Sequence, residues 1–194
     1  MGKLYVIMGK SAVGKDSLYC SLIDRNPMLK TVVPYTTRPI RSGEVEGKEY
    51  HFVTEGELET MRQQDRIVEC RRYDTVHGPW YYFTVDDGQL DFSGDERYVT
   101  ISTLEGFEKL RAFYGREHVV PVYIEVEDFL RLERALEREK RQPNPCAAEL
   151  CRRFVADEDD FSEERLRIAG VKERIQNHDF EEALKNIEEL IRRG

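Results

Sequence analysis

The sequence predicts an α/β fold in which a parallel sheet is flanked by helices, and two observations predict it. A short apolar run at 4–8 leads into a glycine-containing loop and then into a segment with apolar residues at helical spacing. Downstream, strand-like and helix-like segments alternate along the chain. A chain of 194 residues can bury one core, so we expect a single domain.

Further elements follow from the same periodicities. The predicted strands are 31–33, 50–53, 67–69, 81–85, 98–101 and 119–126, with a last one within 170–177. The predicted helices are 17–23, 55–64, 104–114, 129–141, 147–155 and 180–192. The acidic run Asp157-Glu158-Asp159-Asp160 after the fifth helix is expected to face solvent, with metal binding as the alternative.

The composition restricts the class of protein. A net charge of −8 argues against general nucleic-acid binding, and no apolar run reaches the length of a bilayer span. Because a predicted strand begins directly after the first residues, we expect no removable signal peptide. Four cysteines without a C-x-x-C pair indicate reduced thiols. We therefore expect a cytoplasmic monomer or homodimer that binds neither membranes nor nucleic acids.

The loop after the first strand carries the strongest motif. It matches G-x-x-x-x-G-K between a strand and a helix, with the residues Gly9, Lys10, Ser11, Ala12, Val13, Gly14 and Lys15. Such a loop points backbone N–H groups at phosphates, and the helix N-terminus adds a partial positive charge. The motif predicts a site for ATP or a similar nucleotide, with Lys15 at the β and γ phosphates. A chance match in a Gly/Ser-rich turn is the alternative, and the preceding strand argues against it.

The residue after the lysine departs from the usual motif. Asp16 replaces the Ser or Thr whose hydroxyl ordinarily ligates Mg²⁺, and Ser17 offers a hydroxyl one residue later, within reach of the α phosphate. A carboxylate is a suitable ligand for Mg²⁺, directly or through water. Asp16 therefore predicts either an altered magnesium site or a weakened nucleotide site, and we favour the first.

A second group of residues lies in 32–53. The stretch Thr36-Thr37-Arg38-Pro39-Ile40-Arg41-Ser42-Gly43-Glu44 is followed by Gly47-Lys48-Glu49-Tyr50-His51-Phe52-Val53. Two arginines three residues apart can both bind one phosphate, and a tyrosine hydroxyl can add a third donor. The segment resembles the monophosphate-binding region of guanylate kinases, T-T-R-x-x-R-x-G-E followed by G-x-x-Y-x-F-V. A solvated basic loop would not explain the joint pattern.

The resemblance extends over most of the chain, more loosely in the second half. Ile67-Val68-Glu69 is similar to the family's F-x-E, and His77-Gly78 with Tyr81-Tyr82-Phe83-Thr84 to its G-x-Y-Y-G-[ST]. Residues 174–183 resemble V-I-V-N-D-D-L-E-x-A. The resemblance implies that Glu69 accepts from guanine N1 and N2, that Thr84 meets the base, and that Arg38, Arg41, Tyr50 and Tyr82 hold the acceptor phosphate.

The same resemblance implies the fold of P-loop nucleoside monophosphate kinases. Its core would comprise 1–31 and 93–194, with a small acceptor-binding insertion at about 32–92 and a helical lid at about 136–150. Arg138, Arg152 and Arg153 are candidate catalytic residues, since lid arginines can neutralise charge on the transferred phosphate. By contrast, Arg131 and Lys140 are expected on a solvated helix face, paired with Glu133 and Glu137.

Three departures concern the acceptor site. Pro34 replaces a serine that helps to bind substrate, and Phe83 replaces a glycine and would fill space beside the base. The family's L-D-I-D-x-Q-G reads here as Thr100-Ile101-Ser102-Thr103-Leu104-Glu105-Gly106, without an aspartate.

The predicted function is an ATP- and Mg²⁺-dependent phosphotransferase whose default acceptor is GMP, because Glu69 is present. Two alternatives remain. One is a kinase of the same fold acting on another nucleotide or a sugar phosphate. The other is a catalytically silent module that binds protein partners, against which Lys15 argues.

Overall fold

The computed structural model describes residues 1–41, 43–75 and 78–194, so His77 of the predicted acceptor motif lies outside the described residues. Its strands are β1 Lys3–Met8, β2 Lys30–Thr31, β3 Tyr35–Thr36, β4 His51–Phe52, β5 Ile67–Thr75, β6 Gly78–Val85, β7 Arg97–Ile101, β8 Val119–Glu125 and β9 Arg174–Gln176. Its helices are α1 Lys15–Arg25, α2 Glu55–Gln63, α3 Leu104–Tyr114, α4 Asp128–Lys140, α5 Ala147–Asp160, α6 Glu163–Ile168 and α7 Phe180–Arg193. Over the described ranges, no helix is both long enough and apolar enough to cross a bilayer.

The main sheet is parallel, which confirms the predicted fold class. Within the described part of the chain its strand order is β2-β7-β1-β8-β9, and every pairing in it is parallel. The central strand β1 places Val6 opposite Thr100 on one side and Pro121 on the other. Because all strands run the same way, their carboxyl ends meet at one edge, where the loop 9–14 begins.

The core occupies both faces of this sheet, as the uninterrupted apolar run of β1 predicts. Tyr5 and Ile7 pack with residues of α1 and α7, whereas Leu4, Val6 and Met8 pack with residues of α3 and α6. All five side chains are fully buried. Burying a side chain of this size stabilises a fold by about 1.5–3 kcal/mol, so β1 is a rigid support for the loop that follows it.

A smaller sheet lies within the segment 32–92. Its strand order among the described residues is β4-β3-β6-β5, with β5 and β6 forming a long antiparallel hairpin. Leu58 of α2 packs under it against Phe83 and Val85. The helix α2 starts with a capping box between Thr54 and Glu57, in which each side chain accepts a hydrogen bond from the backbone N–H of the other residue.

Several elements differ from the sequence prediction: β3 and α6 were not predicted, β6 begins at Gly78 rather than at 81, and β5 and α5 run well past their predicted ends. The strand β5 continues to Thr75, where 67–69 was predicted, because the pairing with β6 supplies hydrogen bonds for its polar second half. The helix α5 continues to Asp160, well beyond the predicted end near 155, so the acidic run is helical. The extension of β5 depends on β6, its partner in the same hairpin, whereas the extension of α5 is accompanied by a contact with Ser11, which is distant in sequence.

Candidate active site

The loop 9–14 is held by close contacts that only glycine permits. A Cβ on Gly9 would lie 2.5 Å from the backbone oxygen of Ile124 in β8. Gly14 has a φ of 84°, and a Cβ there would lie 2.6 Å from the side-chain nitrogen of Asn177. That amide donates to the backbone oxygen of Val13 at 2.7 Å. The loop is therefore fixed from below by β8 and by the residue that follows β9.

The helix α1 begins at Lys15 without a side-chain cap at Gly14. Its first backbone N–H groups therefore have no capping oxygen from that residue, an arrangement suited to an anion. Burial lowers the pKa of the Lys15 ammonium below its ordinary value of 10.5, and the charges of Asp16 and Asp157 partly oppose that shift. A partly desolvated ammonium beside uncapped amides is a strong site for phosphate oxygens.

Asp16 and Ser17 are exposed at the start of α1, and Asp16 lines the same cavity as Lys15. Among the described residues, no three His, Cys, Asp or Glu side chains are grouped so that they could hold a metal ion. A metal at this place would therefore need oxygen ligands from a bound molecule as well as from Asp16. Mg²⁺ is commonly held in this way, by one or two carboxylates together with substrate phosphates.

The outer rim of the loop is attached to α5. The Ser11 backbone N–H donates to the carboxylate of Asp157 at 2.8 Å, and Arg153 lies with its Nη2 3.4 Å from the Ser11 hydroxyl. Arg153 and Asp157 are four residues apart, on one face of the helix. The expectation that Asp157 faces solvent is therefore wrong, because α5 lies against the loop.

The expectation for Arg131 on α4 is also wrong. Its side chain is fully buried, with the guanidinium 3.9 Å from the ring centre of Phe154. It donates to Asp128 and Asp157, each at 3.0 Å, and to Glu158. The packing of α4 against α5 buries this face of α4, and the buried charge is compensated by three carboxylates.

Three other predicted residues lie at different places around the loop. Lys10 turns away from the main cavity and pairs with Glu158 at 2.6 Å. Arg138 is exposed and lines a small cavity together with Ser11 and Arg153. Arg152 is exposed and forms two hydrogen bonds with Glu149, at 2.8 and 2.7 Å. The structure thus brings Arg153 to the loop, with Arg138 nearby, and leaves Arg152 on the surface.

A cavity of about 590 Å³ joins the loop to the small sheet. Its walls come from α1, the carboxyl end of β7 and the strands β5 and β6. The residues that line it are Lys15, Asp16, Tyr19, Val32, Pro34, Glu49, Tyr50, Arg71, Tyr73, Tyr82, Thr100, Ile101, Ser102, Thr103 and Arg153. Ser102 is nearly buried, and within the described ranges its hydroxyl has no hydrogen-bond partner, so a polar ligand atom would satisfy it.

Two of the four residues predicted to bind the acceptor phosphate line the cavity, and the other two do not. Tyr50 and Tyr82 line the cavity with their rings 5.6 Å apart. Arg38 is buried behind them, its guanidinium 5.3 Å from the Tyr50 ring centre and bonded to both oxygens of Glu44 at 2.7 and 2.8 Å. The side chain of Arg41 is exposed and does not line the cavity. Arg38 lowers the pKa of Glu44 from its ordinary 4.5 to about 2.

At the end of the cavity predicted to meet a base, the structure adds Arg71, which the sequence did not single out. Glu69 is nearly fully buried and accepts hydrogen bonds from the Thr84 hydroxyl at 3.1 Å and from Arg71 Nε at 3.1 Å. Neither Glu69 nor Thr84 lines the cavity, whereas Arg71 does. The sequence spacing could have indicated Arg71, because residues 69 and 71 lie on the same face of a strand.

One departure from the family pattern has a different meaning in the structure. Phe83 is fully buried between the small sheet and α2, on the opposite face of β6 from Tyr82. The expectation that it fills space beside a base is wrong. Pro34 does line the cavity, as expected of a position near substrate.

Comparison with known proteins identifies one family. The guanylate kinase family model matches residues 1–194. The guanylate kinase of Nostoc sp. is 30% identical over 189 residues, 96% of this chain and 88% of that protein. The guanylate kinase of Pseudomonas fluorescens is 43% identical over 108 residues, 50% of this chain and 51% of that protein. The crystal structure of guanylate kinase from Anaplasma phagocytophilum matches the fold with a TM-score of 0.70 at 21% identity, covering 98% of this chain and 85% of that one.

Proposed function

The chain belongs to the guanylate kinase family, and we propose that it transfers the terminal phosphate of ATP to a nucleoside monophosphate, with GMP as the default acceptor. Membership of this family makes it a nucleotide kinase, a phosphotransferase. The observation that carries the proposal is the continuous cavity with Lys15 at one end and Tyr50 and Tyr82 at the other. Two phosphates bound at these two ends would face each other.

The loop fits the triphosphate of ATP. A Cβ on Gly9 or Gly14 would meet β8 or Asn177, so glycine is needed for the loop conformation in which backbone amides would face phosphate oxygens. Lys15 would donate to the β and γ phosphates and stabilise the charge of the transferred group. Asp16 would hold Mg²⁺ together with phosphate oxygens, and the ion would neutralise charge on the phosphates.

Arginines beside the loop would complete the transfer site. Arg153 would donate to the γ phosphate, and its Nη2 atom lies 3.4 Å from the hydroxyl of Ser11 in the loop. We propose that Arg138 joins it when a lid at about 136–150 closes, excluding water from the site. Arg152 would have to leave Glu149 to take part. The chain needs no covalent nucleophile, because positioning and charge stabilisation supply the catalysis.

The acceptor phosphate would bind on Tyr50 and Tyr82, with Arg38 and Arg41 as charged donors. Arg38 lies against Tyr50 but is paired with Glu44, so a phosphate would compete with that carboxylate. The base would lie toward β5, where Glu69 and Thr84 are. The acceptor oxygen would then attack the γ phosphate in line.

The test is a transfer assay with ATP, Mg²⁺ and GMP, following ADP and GDP together. Equal rates of formation of the two products are expected. If no GDP forms while a different phosphorylated acceptor is turned over, a kinase with another acceptor replaces this proposal. The pairing of Arg71 with Glu69 favours this second candidate only in that it occupies the carboxylate on which the choice of GMP as default acceptor rests. If ATP does not bind in the presence of Mg²⁺, a silent protein-binding module replaces both.

A further inference from the structure

The wall of the cavity on the small sheet presents a guanidinium where the family resemblance implies a carboxylate. Arg71 lines the cavity, and its side chain is 20% exposed. The side chain of Glu69 is 1% exposed and lies behind it. A molecule that enters from the loop side therefore meets Arg71 first.

Glu69 is already engaged by its neighbours. Arg71 donates to one carboxylate oxygen through Nε at 3.1 Å and to the other through Nη2 at 3.4 Å. The Thr84 hydroxyl donates to the second oxygen at 3.1 Å. A base that used Glu69 would have to displace a charge-assisted pair from a buried site, and the displaced charge would then lack its partner.

Arg71 itself is held ready for a ligand. Its hydrogen bonds to described residues use Nε and Nη2, which leaves Nη1 for a bound molecule. Burial acts to lower the pKa of Arg71, but the neighbouring Glu69 carboxylate, with contributions from Tyr73 and Tyr50, raises it above its ordinary value. The pair with Glu69 fixes the side chain in advance, which reduces the entropy lost when a ligand binds.

The chemistry of the guanidinium restricts the ligand. Arginine has five N–H donors and no acceptor, so the ligand atom that meets Arg71 must accept a hydrogen bond. A 6-oxopurine offers two adjacent acceptors, O6 and N7, whereas adenine has an amino donor at C6. The 2-amino group of guanine is a donor and would gain nothing from Arg71.

We propose that Arg71 reads the C6 carbonyl edge of the acceptor base and is the specificity-determining residue of the site. The acceptors are then 6-oxopurine monophosphates as a class: GMP, IMP and XMP are used alike, AMP is rejected, and the 2-amino group contributes little. This inference rests on the proposed function, because it concerns which nucleoside monophosphate that site accepts.

The first test uses the unmodified protein. Its kcat/KM is measured for GMP, IMP, XMP and AMP with ATP and Mg²⁺, and the binding of each monophosphate alone is measured by calorimetry. We expect the three oxopurines to agree within about threefold and AMP to be weaker by about 100-fold or more, since a mismatched polar edge leaves buried groups unpaired. A preference for GMP over IMP and XMP above about tenfold would overturn the inference while leaving the proposed function intact. If none of the four is bound or phosphorylated, both fail.

The second test is Arg71→Met, with Arg72→Met as the matched control. Arg72 is the next residue on β5, is exposed and pairs with Asp74. Arg71→Met should weaken binding of GMP and IMP by about 10- to 100-fold, the loss typical of a hydrogen bond to a charged group, and leave AMP unchanged. The control Arg72→Met should leave the binding of all four monophosphates unchanged.

An equal loss for GMP, IMP and AMP in Arg71→Met would show that Arg71 holds the phosphate, and the inference would be wrong. Thermal unfolding of both variants checks that each is folded. If Arg71→Met does not fold, the comparison of the four monophosphates on the unmodified protein still decides.

Discussion

The buried guanidinium of Arg131 should be among the most important single side chains for stability. The change Arg131→Met removes the charge and keeps most of the volume of a side chain that is fully buried. Asp128 is about half exposed and can return to solvent, and Glu158 keeps its pair with Lys10 at 2.6 Å. Asp157, only 14% exposed, keeps the Ser11 N–H but loses its charged partner.

One uncompensated buried carboxylate sets the magnitude. Removing one partner of a buried pair typically costs about 3–5 kcal/mol. Two of the three carboxylates have other partners or solvent, so we expect the lower end, about 3 kcal/mol. That is a large part of the roughly 5–15 kcal/mol by which a domain is stable.

Urea unfolding followed by circular dichroism measures this loss. The control is Arg141→Met near the end of the same region, because Arg141 is 81% exposed and 3.8 Å from Glu137. A surface pair of this kind should change stability by less than about 0.5 kcal/mol. If Arg131→Met cost less than about 1 kcal/mol, Arg131 would not be compensating Asp157 as the structure indicates.

Three further outcomes follow from the site. Arg38 lowers the pKa of Glu44 from its ordinary 4.5 to about 2, so their pair should stabilise the fold fully above pH 4.5 and cease to do so as the pH falls toward 2. An NMR titration of the Glu44 carboxyl checks this, and Arg38→Met should move the midpoint of that titration back toward 4.5. The variant Gly9→Ala should lose about 2 kcal/mol or more of folding stability, together with its affinity for ATP, because its Cβ would meet the backbone of β8. Its control is Gly43→Ala, which has open space around the Cβ but a φ of 88°, and which should lose only about 1 kcal/mol of stability in thermal unfolding. Burial lowers the pKa of Lys15, and bound phosphates would favour its charged form, so ATP binding at alkaline pH below 10.5 should be accompanied by proton uptake. Calorimetry in buffers of different ionisation enthalpy measures this uptake, which should be absent in Lys15→Met.

Local patterns predicted most of the core and the start of the site. The strand β1, the loop 9–14 and the helix α3 at Leu104–Tyr114 follow from apolar runs, glycine spacing and helical periodicity, which are properties of neighbouring residues. The parallel order of the sheet was predicted as a class, because alternating strands and helices leave few other topologies.

Tertiary contacts decided what the sequence could not predict. Whether Arg131 lies in solvent or in the core depends on how α4 packs on α5, and nothing in its own helix indicates that Phe154 covers it. The position of Phe83 follows from the register of β5 with β6, which turns residue 82 to the cavity and residue 83 to α2. Identifying Arg71 as a cavity residue required both the strand assignment and the knowledge that Glu69 is buried behind it.

We propose that the loop 9–14 with Lys15 is the site of phosphate transfer, and one comparison tests this directly. The direct measurement compares the unmodified protein with Lys15→Ala for GDP and ADP formation from GMP and ATP, with thermal unfolding recorded for both. We expect the variant to unfold at a temperature close to that of the unmodified protein and to lose transfer by about 100-fold or more, the effect of removing one donor to a developing charge. If a folded Lys15→Ala protein kept its activity, the assignment of the transfer site would be wrong.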